Sequence, residues 1–297
     1  MLGWRLAMSA LLIPVFVGLF WADNRAGAAA PILFAACLLL GLRCVWELVL
    51  LLRVRFREIE FLPCASCVAG ITAAAWLPHW MAAPARDFSA LGPACLTYVV
   101  CVLGLLAYEA SRYEQPGQRM ESLGAHLLIV SYVGVLLAAT VQLRWVAGAD
   151  LGYLTLGSMV IAVKMGDTGA YTLGRLFGKR KMSPKLSPGK TWAGFVGALV
   201  GSGLGAWAWL QFATPLFDAA AQPPAWYWSV FYGVVMGVIG LVGDLCESLI
   251  KRDMGQKDAA ALMPGFGGLL DLLDSILYAG PVAYVLWVVL PLNVASR

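Results

Sequence analysis

The chain has 297 residues, of which 61% are apolar and only 13% are Asp, Glu, Lys or Arg, about half the ~25% charge of an ordinary soluble domain. Mean hydropathy is +0.78. With 21 basic and 17 acidic residues there is too little charge to cover a water-soluble surface of this length, and the lack of polar low-complexity segments excludes an intrinsically disordered chain. The sequence therefore predicts an all-α, polytopic integral membrane protein. A net charge of +4 does not by itself point to nucleic acid, and no nucleic-acid partner is expected.

A bilayer core takes about 20 apolar residues per helix. Nine stretches qualify in chain order: 6–22, 28–52, 61–82, 89–108, 123–143, 151–177 (polar in its second half), 193–213, 226–250 and 271–290. Runs this long read as helices, because barrel strands would alternate polar and apolar over about ten residues. Arg5 and the Ala28-Ala29-Ala30 run would also suit a cleaved signal segment, but the apolar run is long for one and is read as a retained span. The expected organisation is a region of about five spans over residues 1–145 and a catalytic transmembrane region over 146–297.

Sidedness follows from the cations. Alternate loops hold 15 of the 21 Lys and Arg residues, six of them between Arg175 and Lys190, whereas the opposite loops hold Arg25, Arg86, Arg144 and Arg297. The positive-inside rule then places the rich set, and the N-terminus, on the cytoplasmic side. Arg43 and Lys164 lie within spans.

Several motif-like features read as structural. Cys64 and Cys67 form a C-x-x-C inside a span with no second pair, and the histidines are His79 and His126 alone, which suits small buried side chains better than a metal site. Pro188-Gly189-Lys190-Thr191 resembles the end of a phosphate-binding loop, but Pro184 stands where that motif needs its first glycine. Gly197, Gly201 and Gly205 recur every four residues, the pattern that lets membrane helices pack closely. Arg43 and Glu47, four apart, read as an intramembrane ion pair.

Ionisable residues in spans are costly and are functional candidates by default. Asp167 lies in the sixth stretch, Asp244 and Glu247 in the eighth, and Asp271 and Asp274 at the start of the ninth, all toward one membrane face. Asp244, Glu247, Ser248 and Lys251 are spaced i, i+3, i+4 and i+7, and Asp271, Asp274, Ser275 and Tyr278 repeat the pattern, so each helix offers a polar stripe. Between them lie Lys257, Asp258 and the turn-forming Pro264-Gly265-Phe266-Gly267-Gly268. Carboxylates on neighbouring helices beside a basic loop suggest a divalent cation, Mg²⁺ above all, because Mg²⁺ takes a few carboxylates plus substrate phosphates.

The same residues resemble the phosphatidate cytidylyltransferases, the CDP-diacylglycerol synthase family. The likeness is carried, in order, by Asp167-Thr168-Gly169-Ala170-Tyr171, Gly174-Arg175 to Lys179, Ser187-Pro188-Gly189-Lys190-Thr191-Trp192, Gly243-Asp244-Leu245 to Ser248, Lys251-Arg252, Lys257-Asp258, Pro264 to Gly268, Asp271 and Asp274. Two positions depart from the family pattern: Phe266 stands where it has His and Leu272 where it has Arg. The resemblance implies the reaction CTP + phosphatidate → CDP-diacylglycerol + pyrophosphate in a bacterial cytoplasmic membrane. CTP, phosphatidate or a related lipid phosphate, and membrane lipid are the implied partners, and a homodimer is left open. Its implied cofactors are Mg²⁺ and a second, monovalent cation.

On this reading Asp244 and Asp271 are the principal metal ligands, with Asp274 as a third. Lys257 joins Asp244 and Asp271 as catalytic. Lys190, Lys251 and Arg252 bind phosphates, and Ser187, Thr191, Asp167 and Asp258 make polar substrate contacts. The alternatives are a CTP-dependent polyprenol or phytol kinase, a cytidylyltransferase for another lipid phosphate, an ion transporter, and an inactive homologue kept for assembly.

Overall fold

A computed structural model describes residues 2–81, 90–260 and 267–292, without the side chains of residues 2–9, 11 and 12. Arg86, Arg297 and the Pro264-Gly265-Phe266 segment lie outside the described residues. Among the described residues there are nine long helices: α1 (Leu2–Ala26), α2 (Pro31–Leu52), α3 (Phe61–Trp80), α4 (Gly92–Ser111), α5 (Arg119–Val146), α6 (Gly152–Phe177), α7 (Trp192–Phe217), α8 (Trp226–Asp253) and α9 (Leu270–Val289). Each falls on one of the nine apolar stretches. Seven of them, α2 to α5 and α7 to α9, are long and apolar enough to cross a membrane; α6 carries Lys164, Asp167 and Arg175.

The basic run before α7 is a local departure from the all-α expectation. It forms a β-hairpin in which β1 (Lys181–Ser183) pairs antiparallel with β2 (Ser187–Thr191), Lys181 opposite Thr191 and Ser183 opposite Ser187, with a register irregularity between them. Pro184, with its fixed φ, opens the turn. A run this rich in Lys has no apolar alternation from which strands could be read.

The chain divides into two compact units: residues 1–139 with 253–272, and residues 140–252 with 273–297. In the first unit, a buried core of Leu48, Ile71, Trp76 and Val133 joins α2, α3 and α5. A Cβ on Gly41 would lie 3.2 Å from Leu137, and one on Gly134 would lie 3.2 Å from Ile71. Helix α5 relaxes into a π-turn at Val130–Val135, where Ser131 shares a 2.8 Å hydrogen bond with Tyr98 of α4. The α1–α2 turn passes through Gly27 and Ala30 at positive φ, and the buried Asp23 carboxylate accepts the Ile32 and Leu33 N–H groups at 2.6 and 2.9 Å. This satisfies orphan donors at the start of α2.

A polar network closes the same unit. The buried His126 accepts the Glu60 N–H at Nε2 (3.3 Å) and meets Glu109 at Nδ1 (3.1 Å), while Ser122 donates to Glu109 at 2.8 Å. Arg119 pairs with Glu58 and Glu109, and Arg112 with Glu60. Bonded to Arg112 and Tyr108, the Glu60 carboxyl is held below the usual carboxylate range. The seven cysteines are free thiols.

In the second unit, glycine sets the helix spacing. A Cβ on Gly169 of α6 would overlap the Gly197 carbonyl of α7, and one on Gly201 would overlap the Met165 carbonyl. At Gly205 a Cβ would lie 2.7 Å from the Met165 side chain. The 197–201–205 stripe is thus a backbone-to-backbone contact. Ser158 ties three helices together, meeting the Tyr232 hydroxyl at 3.1 Å and accepting from Trp287 Nε1 at 3.2 Å. Gly169→Ala should destabilise the purified protein by about 1–3 kcal/mol, the usual cost of overpacking, read as a fall in melting temperature in detergent. Gly104→Ala, at a position with no neighbour within 4 Å, should leave the midpoint unchanged or slightly raised.

Candidate active site

The spacing that puts Asp244, Glu247, Ser248 and Lys251 on one face of α8 also puts Gly240 and Gly243 there. The missing side chains let α9 come close: a Cβ on Gly243 would lie 2.7 Å from the Tyr278 Cβ and 3.2 Å from the Ser275 Cα. Asp274, adjacent to Ser275, is thereby brought to α8. Carboxylate oxygens of Asp244, Glu247 and Asp274 all lie within 4.8 Å of one another. Glu247 and Asp274 are buried, 1% and 4% exposed, and Asp244 opens the group to one side.

Three acids this close repel one another, and cations and donors offset the repulsion. Lys190 Nζ lies 2.7 Å from Asp244 Oδ2, and Ser248 Oγ lies 3.5 Å from Asp244 Oδ1. Lys251 Nζ meets Glu247 Oε2 at 2.5 Å. Asp274 Oδ1 accepts from the Ser275 N–H at 2.5 Å and its hydroxyl at 2.7 Å. Asp167 pairs with Lys164 at 3.2 Å, one turn away on α6, and lies within electrostatic reach of Asp244 and Lys190.

The hairpin delivers Lys190. At the end of β2, the buried Thr191 hydroxyl accepts the Gly194 N–H at 3.1 Å and caps α7. Glycine makes room for it: a Cβ on Gly178 would come within 2.7 Å of Thr191 Oγ1. With Thr191 fixed, the neighbouring Lys190 reaches Asp244 and donates to the Leu241 carbonyl at 3.2 Å. The turn is tethered by Arg252, whose Nε donates to the Leu186 carbonyl at 3.4 Å.

The expected site residues are thus placed differently from one another. Asp167, Lys190, Asp244, Lys251 and Asp274 gather in the second unit, with Ser187 half-buried in β2. Thr191 is spent on the α7 cap and Arg252 on the hairpin. Lys257 and Asp258 are exposed on the connection that belongs to the first unit. Asp271 also belongs to that unit, and its carboxylate accepts the Gly268 N–H at 2.6 Å and the Ala259 N–H at 3.1 Å. The three-carboxylate group contains Glu247 where the sequence reading expected Asp271, because the first-turn position of Asp271 turns its carboxylate toward these amides. Leu272 is half-buried, and Phe266 lies outside the described residues.

Two residues received no role from sequence reasoning. Glu247 stood in the i, i+3 stripe beside Asp244, so the spacing held the signal. Lys164 was visible only as an intramembrane cation, and its partner Asp167 is the i+3 residue.

The donor set suits Mg²⁺. It is all hard oxygen, the ligand chemistry that Mg²⁺ takes, and Asp244, Glu247 and Asp274 are the residues that would hold such an ion. No thiol or imidazole takes part in the group, which disfavours zinc.

The sequence profile of the cytidylyltransferase family matches residues 4–290. The chain is similar to the phosphatidate cytidylyltransferase of Mycobacterium bovis, 39% identical over 244 residues that cover 80% of this chain and 74% of the relative. The phosphatidate cytidylyltransferase of Mycobacterium leprae is 36% identical over 219 residues, 71% of this chain and 68% of the relative. That of Bacillus subtilis is 33% identical over 192 residues, 64% and 63% of the two chains. The likeness thus extends well beyond the Asp167 to Asp274 region that carries the motifs, and the chain belongs to the cytidylyltransferase family.

Proposed function

We propose that this protein is a CTP-dependent nucleotidyltransferase of phospholipid synthesis, converting CTP and phosphatidate to CDP-diacylglycerol and pyrophosphate. The observation that carries the reading is the close Asp244, Glu247 and Asp274 group with Lys190 bonded to it, set on the motifs shared with the family. A non-bridging oxygen of the lipid phosphate forms a bond to the α-phosphorus of CTP. The bond from that phosphorus to the β-phosphate bridging oxygen breaks, and pyrophosphate leaves with the electron pair. The attacking phosphate is already ionised near neutral pH, so no Ser, Cys or His base is needed.

What the reaction requires is two anions held in line and relief of charge on the departing group. Asp244, Glu247 and Asp274 would hold Mg²⁺, which supplies neutralisation of the phosphate oxygens and a template for in-line attack. Lys190 is placed to exchange its Asp244 contact for a phosphate oxygen. Lys164 extends the positive field along α6. Lys251 orients Glu247 through their ion pair. Asp271 enters through the turn it stabilises ahead of α9, and Lys257 and Asp258 through the same connection. The uneven distribution of Lys and Arg supports an inward N-terminus and a site that opens to the cytoplasm, where CTP arrives in solution and the lipid from the inner leaflet.

Purified protein incubated with radiolabelled CTP, phosphatidate and Mg²⁺ should yield labelled CDP-diacylglycerol and equimolar pyrophosphate. Release of CDP with phosphorylation of a polyprenol or phytol would overturn the assignment. Asp244→Ala and Asp274→Asn should each lower kcat by about 100-fold or more, the scale on which loss of transition-state electrostatics is felt, while the protein still inserts and purifies. Near-normal turnover in both would exclude the metal assignment. Lys190→Ala should raise the apparent KM for CTP by about tenfold, the scale of a lost charge-assisted contact, and a change confined to the lipid KM would reassign Lys190.

A further inference from the structure

We infer that Glu47, on α2 and remote in sequence from every motif of the site, is a positioning residue that braces the start of α9. The inference rests on the functional reading above, since α9 bears Asp271 and Asp274. Glu47 is fully buried. Its Oε1 accepts the Leu269 N–H at 3.0 Å and its Oε2 the Leu270 N–H at 2.9 Å. Arg43, one turn earlier, holds Oε1 at 3.1 Å. The preceding amide, that of Gly268, is accepted by Asp271 at 2.6 Å. Three successive amides at the open end of α9 are therefore taken by two carboxylates, one from the signature itself and one from a helix 222 residues away in sequence.

An intramembrane ion pair with Arg43 would leave the second Glu47 oxygen to any donor. Here both oxygens engage consecutive backbone amides, which fixes the carboxylate plane against one helix end and sets its charge at the positive pole of the helix dipole. The packing is tight enough to dictate sequence. A Cβ on Gly268 would overlap Glu47 Oε2 and lie 2.8 Å from its Cδ, and one on Gly267, at φ +88°, would collide with the Asp271 carboxylate. The Gly-Gly pair is thus the space into which the two carboxylates fit. Without Glu47 the first turn of α9 loses two of its acceptors and frays, and the carboxylates borne on that turn and the next lose their fixed aim.

Hydrogen exchange and steady-state kinetics on the purified full-length protein test this together, with wild type, Glu47→Leu and Glu47→Gln. In Glu47→Leu, exchange of the amides in residues 267–272 should accelerate at least about tenfold with the other helices unchanged. Its kcat should fall about tenfold or more with the KM for CTP within about twofold, since the loss is of alignment rather than of a substrate contact. Glu47→Gln, which keeps one acceptor oxygen but no charge, should recover most of the protection and of kcat. Unchanged exchange at 267–272 in Glu47→Leu, or in Glu47→Gln a loss of kcat as deep as in Glu47→Leu without any change in exchange, would overturn the brace. Should Glu47→Leu not fold, Glu47→Asp decides: its shorter side chain keeps the charge beside Arg43 but cannot reach both amides, so exchange in 267–272 should still accelerate, and exchange and kcat both identical to wild type would overturn the brace. A wild-type protein that makes no CDP-diacylglycerol would instead sink the functional reading, and the exchange arm would still report on the brace.

Discussion

The mutual repulsion of three close carboxylates, two of them buried, is the constraint around which the second unit is organised. Asp244, Glu247 and Asp274 lie within 4.8 Å, a separation at which like charges in a medium less polar than water are strongly unfavourable. They are brought there by the absence of side chains at Gly240 and Gly243, which lets α9 lie against α8 at backbone distance. Lys190 and Lys251 then each engage one acid, while the Ser275 amide and hydroxyl serve the third. Helix spacing, counter-charge and site are one arrangement, and a divalent cation would convert its least favourable feature into its function.

A second regularity is the use of distant or adjoining polar side chains to close helix N-termini inside an apolar setting. Asp23 caps α2, Thr191 caps α7 and Glu47 braces α9. In a bilayer, open amides cannot turn to water, so each must find an acceptor within the protein. Two of these helix starts also adjoin residues proposed for the site. Thr191 adjoins Lys190, and the Glu47 contact adjoins Asp271, so the same bonds that satisfy the backbone fix the position of functional groups.

The chemistry asks little of proton transfer and much of electrostatics. Neither histidine belongs to the carboxylate group; His126 is buried in the first unit between Glu60 and Glu109. A lipid phosphate attacking a nucleotide phosphate brings no proton that must be removed, so a cluster of acids, lysines and a hard cation is sufficient equipment.

Hydrophobic length alone placed all nine helices, because a membrane span needs a run of about 20 apolar residues and nothing else in a sequence looks like it. The i, i+3, i+4 stripes on α8 and α9 likewise exposed the acids, and the Gly197, Gly201 and Gly205 repeat announced a close helix contact, since both depend only on helical period. The strands of the basic hairpin were hidden, because Lys, Pro and Gly form no alternating pattern. Which acids meet was hidden too. Spacing cannot tell that Asp271 spends its carboxylate on the Gly268 and Ala259 amides while Glu247 turns to Asp244 and Asp274, nor that Glu47 reaches past Arg43 to the start of α9. Those choices depend on where helix axes and glycine gaps bring the ends of side chains. Composition and period determined the membrane fold and the inventory of the site; its geometry was decided by contacts between residues far apart in sequence, which no local pattern encodes.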